Sequence, residues 1–295
     1  MRGWLTADRG EPCLFAAAVT AVCDLYAQAL TLHEQGVHLI STDEKTGIQA
    51  LESLHPLVPL RPGQIERREV EYIRHGTQCL IANFAVATGQ VVAPSIGPTR
   101  TADDFTAHIA RTVSTDPEAA WIFIVDHLNI HQSTSLVRYV AAQCAIPLDL
   151  DARGTIRNMR AMASRRAFLQ DVTHRIRFVY TPVHTAWLNQ VELWFSILAR
   201  RLLKRGSFTS VEDLRAQLLA FITHFNRTFA KPFKWTYTGR PLTGRLAKGK
   251  ILYAKGVAAL GATERATVRC TDSATLCCTA MPQQRHIAWL DELVG

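Results

Sequence analysis

The stretch VHLISTDE, residues 37–44, decides the fold class of this chain. Its apolar part is long enough for one buried strand, which we predict over residues 37–43 and which ends on Asp43. A second stretch of the same kind, WIFIVD at residues 121–126, ends on Asp126. The segments around these strands alternate between strand and helix periods, so we expect an α/β fold with a mixed sheet and flanking helices.

Local signals place the remaining elements around these two strands. Two β-rich runs separated by Thr88-Gly89 predict a hairpin over residues 77–87 and 90–95, and residues 175–180 predict another strand. Helices are predicted over residues 11–33, 101–113, 133–144, 189–204 and 210–225. Irregular structure is predicted over residues 51–68 and 150–170.

Charge is distributed unevenly along the 295 residues, whose formal net charge is +8. Residues 1–150 carry 10 Lys and Arg against 16 Asp and Glu, a net charge of −6. Residues 151–250 carry 19 against 5, a net charge of +14, and the last 45 residues are balanced. A basic segment beside an acidic one is typical of a protein that binds a polyanion with one part and acts on it with the other. A solubilising basic surface is the alternative interpretation.

Cysteine use and hydropathy indicate a reducing, aqueous environment. Seven cysteines are an odd number, and their spacing fits neither a disulfide framework nor a zinc site. No apolar stretch reaches the roughly 18–20 residues that a bilayer-spanning helix needs. The first ten residues do not have the pattern of a signal peptide. We therefore expect a cytoplasmic protein with no membrane partner.

Three acidic residues stand at predicted element ends: Asp43, Asp126 and Glu192. The first two follow apolar strands, and the third lies in the first turn of the helix predicted over residues 189–204. If they met at one edge of the sheet, they would hold two divalent cations about 3.5–4 Å apart, which is the arrangement used for in-line phosphoryl displacement. Oxygen-only ligands suit Mg²⁺ or Mn²⁺.

Each of these residues also has an ordinary structural explanation. Asp43 and Asp126 are of the type that stops strands and starts turns. Glu44 is placed to act as a ligand instead of Asp43. Asn189, followed three residues later by Glu192, has the pattern of a helix capping box, which needs no metal.

Histidines beside the acidic motifs add two further hypotheses. His131 and His184 flank two of the motifs and would be able to approach a scissile phosphate, although such histidines are often only supporting or surface groups. A zinc site formed by His127, His131 and His184 is the alternative metal centre, but no Cys/His pair has a zinc-finger spacing.

Together these motifs resemble the DDE transposases of bacterial insertion sequences related to mariner elements. The resemblance rests on STDEKTGIQA (41–50), VDHLNIH (125–131), the segment from TP to LNQVE (181–192) with WF (194–195), KRGSFTS (204–210), FNR (225–227) and KPFKW (231–235). It covers roughly residues 1–242. It implies a ribonuclease H-like catalytic domain at residues 37–242, preceded by a linker helix at 1–36 and followed by a tail of uncertain structure at 243–295.

The resemblance also implies an activity. Asp43, Asp126 and Glu192 would hold two Mg²⁺ or Mn²⁺ ions for hydrolytic nicking at the element ends, followed by attack of the freed 3′-hydroxyl on target DNA. Double-stranded DNA would be the partner, as element ends and as target, and the protein would act as a homodimer on DNA in the nucleoid. A basic cluster at the end of the predicted helix is expected to contact DNA phosphates. Its members are Arg200, Arg201, Lys204 and Arg205.

Two features depart from the family pattern. Asp126 and Glu192 are 66 positions apart, more than is common in this superfamily, and the Arg-rich stretch from about Leu148 to Asp171 looks like an insertion. The helix-turn-helix modules that precede such catalytic domains have no counterpart before residue 37. The alternative function is therefore a non-catalytic DNA-binding remnant of a truncated transposase.

Overall fold

The computed structural model describes residues 12–55, 62–63, 71–151, 156–183 and 185–237. The described chain belongs to two compact units, of which Asp24–Thr236 contains the sheet. Residues 12–23 and Tyr237 belong to the other unit. The helices of the described residues include none that combines the length and the apolarity of a membrane span.

Five strands build one sheet: β1 (Val37–Ser53), β2 (Tyr72–Ala85), β3 (Val91–Gly97), β4 (Ala120–Val125) and β5 (Ile176–Tyr180). Their spatial order is β3-β2-β1-β4-β5. The pairs β1–β2 and β2–β3 are antiparallel, whereas β1–β4 and β4–β5 are parallel. The predicted α/β fold with a ribonuclease H-like mixed sheet is therefore confirmed, with β1 at the boundary between the antiparallel and the parallel half.

Seven α-helices accompany the sheet in the described chain. They are α1 (Pro12–Ala27), α2 (Ala29–Glu34), α3 (Ala102–Val113), α4 (Thr134–Gln143), α5 (Met162–Leu169), α6 (Gln190–Leu198) and α7 (Val211–Thr228). Short 3₁₀ turns lie at Asn129–Gln132, Arg157–Met159 and Ala186–Leu188, and a π-helical turn, Ala199–Leu203, continues α6. The single helix predicted over residues 11–33 is thus two helices, with Gln28 between them.

The helices α3, α4 and α5 pack on a shared apolar core with the strands. Phe105 and Ile109 of α3 belong to the same buried cluster as the strand residues Phe123 and Phe178. The rings of Phe123 and Phe178 stack with their centroids 5.3 Å apart. Burying side chains of this size stabilises the fold by roughly 1.5–3 kcal/mol each, so this face holds the parallel half of the sheet in place.

The alternation of side chains along β1 separates the two faces of the sheet. The hydroxyl of Ser41 accepts a hydrogen bond from the N–H of Val191 in α6 at 2.8 Å. The hydroxyl of Thr42 is linked instead to α3, through Asn83 and Thr112. Because successive strand side chains point to opposite faces, odd-numbered residues in this part of β1 face α6 and even-numbered ones face α3.

The second face carries α6 and α7. α6 contacts β1 and β2, while α7 contacts β2 and β3. Trp194 of α6 and Phe225 of α7 meet edge to face, with ring centroids 6.2 Å apart. Asn226 of α7 bonds both backbone groups of Val91 at 2.8 Å, so that a side chain takes the place of a neighbouring strand at the sheet edge.

Two segments predicted to be irregular contain regular structure. β1 continues to Ser53, because it keeps its antiparallel partner β2 beyond the end of β4, with a register shift around Gly47 at φ 69°. The Arg-rich segment contains α5, whose sequence MASRRAFL consists mostly of good helix formers. The predicted domain limits at residues 36 and 242 stay predictions, and the tail at 243–295 lies outside the described residues.

Candidate active site

Parallel strand pairing brings Asp43 and Asp126 to the same edge of the sheet. Ser41 lies opposite Ile124 in the β1–β4 register, so the two carboxylates stand two residues beyond that pair on neighbouring chain segments. Asp126 directly follows β4, as predicted. Asp43, in contrast, lies inside β1 and is still paired with Ala82 of β2. The prediction that it ends a strand is wrong, and so is its interpretation as a turn residue.

The start of α6 is bound to β1 by three hydrogen bonds. The Nδ2 of Asn189 donates to the carbonyl oxygen of Thr42 at 2.9 Å, and the Oγ of Ser41 donates to the Oδ1 of Asn189. The same Oγ accepts from the N–H of Val191 at 2.8 Å. These bonds hold the first turn of α6, which contains Glu192, against the strand that carries Asp43.

The predicted capping box at Asn189 and Glu192 is wrong. Asn189 directly precedes α6, but its side chain makes no cap hydrogen bond. Its amide is engaged by β1, and Ser41, 150 positions earlier in the chain, supplies the oxygen for the N–H of Val191. Glu192 therefore takes no part in capping the helix.

Negative charge is crowded around Asp43. Burial raises the pKa of Asp43, and the charges of Glu44, Asp126 and Glu192 raise it further, to about 8, although the N–H of Glu44 bonds the carboxylate and opposes the shift. Asp126 and Glu192 are therefore near enough to Asp43 to act on it electrostatically. Such a group of carboxylates favours a positively charged partner.

The loop after β4 holds Asp126 by one of its two carboxylate oxygens. Oδ1 accepts from the N–H of Leu128 at 2.9 Å and from Nδ1 of His131 at 2.8 Å. Burial raises the pKa of Asp126, but the hydrogen bond and the charge of His131 outweigh it, and the pKa is lowered. Asp126 is therefore an ionised, oriented carboxylate, and its Oδ2 takes part in neither contact.

His131 is buried and contacts two carboxylates, those of Glu44 and Asp126. Its Nε2 is 2.9 Å from Oε1 of Glu44, and the two side chains are 0% and 1% exposed. Burial lowers the pKa of His131, but its hydrogen bonds to Asp126 and Glu44 outweigh this and raise the pKa to about 10. The prediction that His131 approaches a phosphate is therefore wrong, and Glu44 is turned away from the ligand position proposed for it.

The alternative zinc site is not formed by the described residues. His127 accepts from Nη1 of Arg166 at 3.2 Å through Nδ1 and also bonds the backbone of Thr181. His131 is bound to carboxylates on both sides, and His184 lies outside the described residues. Across the described part of the chain, no three His, Cys, Asp or Glu side chains are already placed to hold a metal ion.

The basic cluster lies where α6 changes its winding. The π-helical turn Ala199–Leu203 replaces the last turn of the predicted α-helix, and wide turns of this kind frequently occur at functional sites. Arg201, Lys204 and Arg205 are exposed, whereas Arg200 is half-buried. The guanidinium of Arg201 lies over the ring of Phe229, 4.6 Å from its centroid. Exposed positive charge at this end of α6 is therefore present at three of the four predicted positions.

The profile of the family described as DDE superfamily endonuclease matches residues 38–215. This region is more than half of the chain and includes all three carboxylates and the basic cluster. This chain belongs to the DDE superfamily endonuclease family. The family assignment confirms the DDE resemblance drawn from the sequence motifs.

Solved structures of the mariner transposase Mos1 are similar to this DDE-family chain. A Mos1 paired-end complex with Mn is 13% identical, with a TM-score of 0.45, and the match covers 76% of this chain and 59% of the Mos1 chain. The catalytic domain of Mos1 is 10% identical, with a TM-score of 0.43, covering 75% and 85% of the two chains. No curated protein sequence matches the chain significantly.

The donor set of this candidate site fits a hard divalent cation. The three carboxylates offer oxygen atoms only, which suits Mg²⁺ and Mn²⁺ and not the softer metals that prefer sulfur or imidazole. Burial and the neighbouring negative charges raise the pKa of Asp43, and a bound cation would offset those charges. The side chains are near one another but not yet at common ligand distances, as expected for carboxylates that repel one another.

The sequence patterns did not reveal the groups that hold the loop after β4 beside the candidate site. Arg165 of α5 donates to the carbonyl oxygen of Gln132 at 2.6 Å and to that of Arg160 at 2.8 Å, and so binds the Arg-rich segment to the loop after β4. Its neighbour Arg166 contacts His127 in that loop. Glu44 and His131 were visible in the sequence as residues beside the motifs, but their pairing depends on the fold.

Proposed function

We propose that residues 37–242 are the catalytic domain of a DNA transposase that nicks and joins DNA strands with divalent cations. The observation that supports the proposal is the placement of Asp126 beside Asp43 at the end of the β1–β4 pairing, with Glu192 in the helix turn that hydrogen bonds anchor on β1. Burial, Glu44 and, less strongly, Asp126 and Glu192 raise the pKa of Asp43. Membership of the DDE superfamily endonuclease family supports the same reaction class.

The three carboxylates would hold two Mg²⁺ or Mn²⁺ ions. When bound, the ions supply activation of the attacking hydroxyl group and neutralisation of charge on the phosphate oxygens. Each protein ligand has its own support: Asp43 lies in the central strand, Asp126 is oriented by Leu128 and His131, and Glu192 is presented by the anchored start of α6. Ligands held on strands and on a fixed helix lose little freedom when they bind.

The proposed chemistry has two steps of the same type. In the first, water attacks the phosphate at an element end, the bond to the 3′ oxygen breaks, and that oxygen leaves as a 3′-hydroxyl. In the second, this hydroxyl attacks a target phosphodiester, one P–O bond forms and another breaks, and the element end is joined to target DNA. Neither step changes an oxidation state, so no redox cofactor is required.

The proposed partner is double-stranded DNA, as element end and as target, bound by a homodimer. The strongly basic composition of residues 151–250 supports a polyanionic partner. Arg201, Lys204 and Arg205 place exposed positive charge on the segment that follows the helix of Glu192. Such residues would grip backbone phosphates, which fixes the DNA without reading its sequence.

The test is cleavage of supercoiled plasmid DNA by the purified chain with Mg²⁺ or Mn²⁺. We expect nicking that EDTA abolishes, and we expect Asp126→Asn to abolish it as well, because an amide cannot offset the charge of a cation. Asp103→Asn, at an exposed carboxylate in the first turn of α3, is the matched control and should retain the activity. Equal nicking by wild type and Asp126→Asn would rule the assignment out. DNA binding without metal-dependent nicking in the wild type would favour the non-catalytic remnant.

A further inference from the structure

Glu44 and His131 form a buried polar pair beside the apolar core, in which Oε1 of Glu44 contacts His131 and Oε2 of Glu44 has no hydrogen-bond partner among the described residues. The ring of Phe105 lies against that of His131, with centroids 4.3 Å apart. The hydroxyl of Tyr180 donates to the carbonyl oxygen of His131 at 2.8 Å, and the N–H of His131 donates to the carbonyl of Leu128 at 3.0 Å. Backbone and ring of His131 are thus held independently of its two carboxylate contacts.

Strand alternation explains why two adjacent acidic residues have different surroundings. Asp43 shares the α6 face of β1 with Ser41, whose hydroxyl receives α6. Glu44 shares the α3 face with Thr42 and reaches the buried His131 at 2.9 Å. The motif Asp43-Glu44 therefore directs one carboxylate to the sheet edge and the other into the core.

The Glu44–His131 pair also connects β1 to the loop after β4, beyond the point where these two strands stop pairing. The backbone pairing of β1 with β4 ends at Ser41 and Ile124. Beyond this point, Glu44 on β1 is connected through the imidazole of His131 to Oδ1 of Asp126, by contacts of 2.9 and 2.8 Å. This chain of contacts links the two segments that carry Asp43 and Asp126, where the backbone ladder no longer does so.

We propose that Glu44 and His131 are positioning residues that set the orientation of Asp126 and its distance from Asp43 in the cation site. The proposal rests on the function proposed above. Because both side chains are buried and paired with each other, we expect them to act on the cation site through Asp126 and not as contacts to DNA or cation. His131 acts on Asp126 directly through Nδ1, and Glu44 acts through His131 by bonding Nε2.

The test measures Mn²⁺ binding, from the electron paramagnetic resonance signal of free Mn²⁺, and thermal unfolding without metal, in the full chain. We expect His131→Gln and Glu44→Gln to weaken Mn²⁺ binding by about 10- to 100-fold, the usual effect of losing a group that orients a metal ligand. Because Glu44 acts on Asp126 through His131, the two losses should not add, and the double variant should bind Mn²⁺ more tightly than the two single effects multiplied together would give.

A conservative pair distinguishes positioning from general stability. The amide nitrogen of Asn lies near the position of the histidine Nδ1, so His131→Asn keeps a donor toward Asp126, whereas the longer Gln presents its donor toward Glu44. We expect His131→Asn to retain more Mn²⁺ affinity than His131→Gln, even where both unfold at the same temperature. His108→Gln, at another fully buried histidine, is the matched control, which should lower stability and leave Mn²⁺ affinity unchanged.

Two results would overturn the proposal. One is wild-type Mn²⁺ affinity in His131→Gln while Asp126→Asn has lost it, which leaves the proposed function intact. The other is a loss of affinity that follows thermal stability across all variants, His108→Gln included. Unchanged Mn²⁺ affinity in Asp126→Asn itself would instead contradict the proposed function, and the positioning inference would fail with it.

Discussion

At the scale of single residues, the motif Asp43-Glu44 shows what sequence can and cannot decide. The sequence placed an acidic pair after an apolar strand but left open which residue faces the site. The two faces become distinguishable only when the partners of β1 are known, because Ser41 meets α6 and Thr42 connects to α3. Those partners lie far away in the chain, so local pattern carries no information about them.

A second buried histidine makes a prediction about pH. Burial lowers the pKa of His108, and the charge of Arg111 adds to the effect, giving a value of about 3. Its Nδ1 contacts Oγ of Ser95 at 2.6 Å. As pH falls below the unfolded-state pKa of about 6.5, His108 binds a proton in the unfolded chain but not in the folded chain. The contribution of His108 to stability is therefore present above about pH 6.5 and is lost as pH falls toward 3.

Urea unfolding at pH 7 and pH 5 checks this expectation. The wild-type protein should lose free energy of unfolding between pH 7 and pH 5. In His108→Gln, which has no titrating group at this position, that loss should be smaller by about 2 kcal/mol, because each pH unit between the two pKa values contributes about 1.4 kcal/mol. An identical pH dependence in wild type and variant would show that folding does not lower the pKa of His108.

At the scale of elements, helix starts were predictable where the cap is local. Thr101, Ser133 and Ser210 each accept a backbone hydrogen bond from the first turn of the helix that follows them. The start of α6 was misinterpreted, because Asn189 fits the local pattern but finds its partners on β1. Likewise, the continuation of β1 to Ser53 depends on pairing with β2 and could not be seen in the apolar period.

Ser41 therefore has a larger predicted effect than an ordinary cap. Ser41→Ala removes the acceptor for the buried N–H of Val191 and the donor to Asn189, and an unsatisfied buried group costs roughly 1–3 kcal/mol. Ser210→Ala at the start of α7 removes one bond to Asp213 and should cost about 1 kcal/mol. Urea denaturation of both variants measures the difference. A smaller loss for Ser41→Ala than for Ser210→Ala would contradict the anchoring of α6 on β1.

At the scale of the whole molecule, charge is distributed unevenly along the sequence. The net charge of −6 in residues 1–150 contrasts with +14 in residues 151–250. This asymmetry was readable without any structure. The contacts of individual basic side chains could not be predicted from the sequence. Arg165 binds backbone carbonyls, and Arg201 lies over the ring of Phe229.

The exposed cations after α6 predict how DNA binding responds to salt. Replacing Lys204 and Arg205 with Ala should reduce the slope of log affinity against log salt by about 0.9 for each phosphate that is no longer neutralised on duplex DNA. Replacing Arg74 and Arg100, two exposed arginines outside the cluster, removes the same charge and serves as the control. Fluorescence anisotropy over a salt series measures both slopes. Equal slopes in the two double variants would mean that the basic cluster only complements the end of its helix.

The proposed function requires that Asp43, Asp126 and Glu192 form one cation site. Anomalous diffraction from crystals grown with Mn²⁺ tests it most directly, because the metal is located independently of any activity. We expect two Mn²⁺ ions about 3.5–4 Å apart, with the carboxylate oxygens of these three residues as their protein ligands. Mn²⁺ bound by other side chains, with these three carboxylates left without metal, would contradict it.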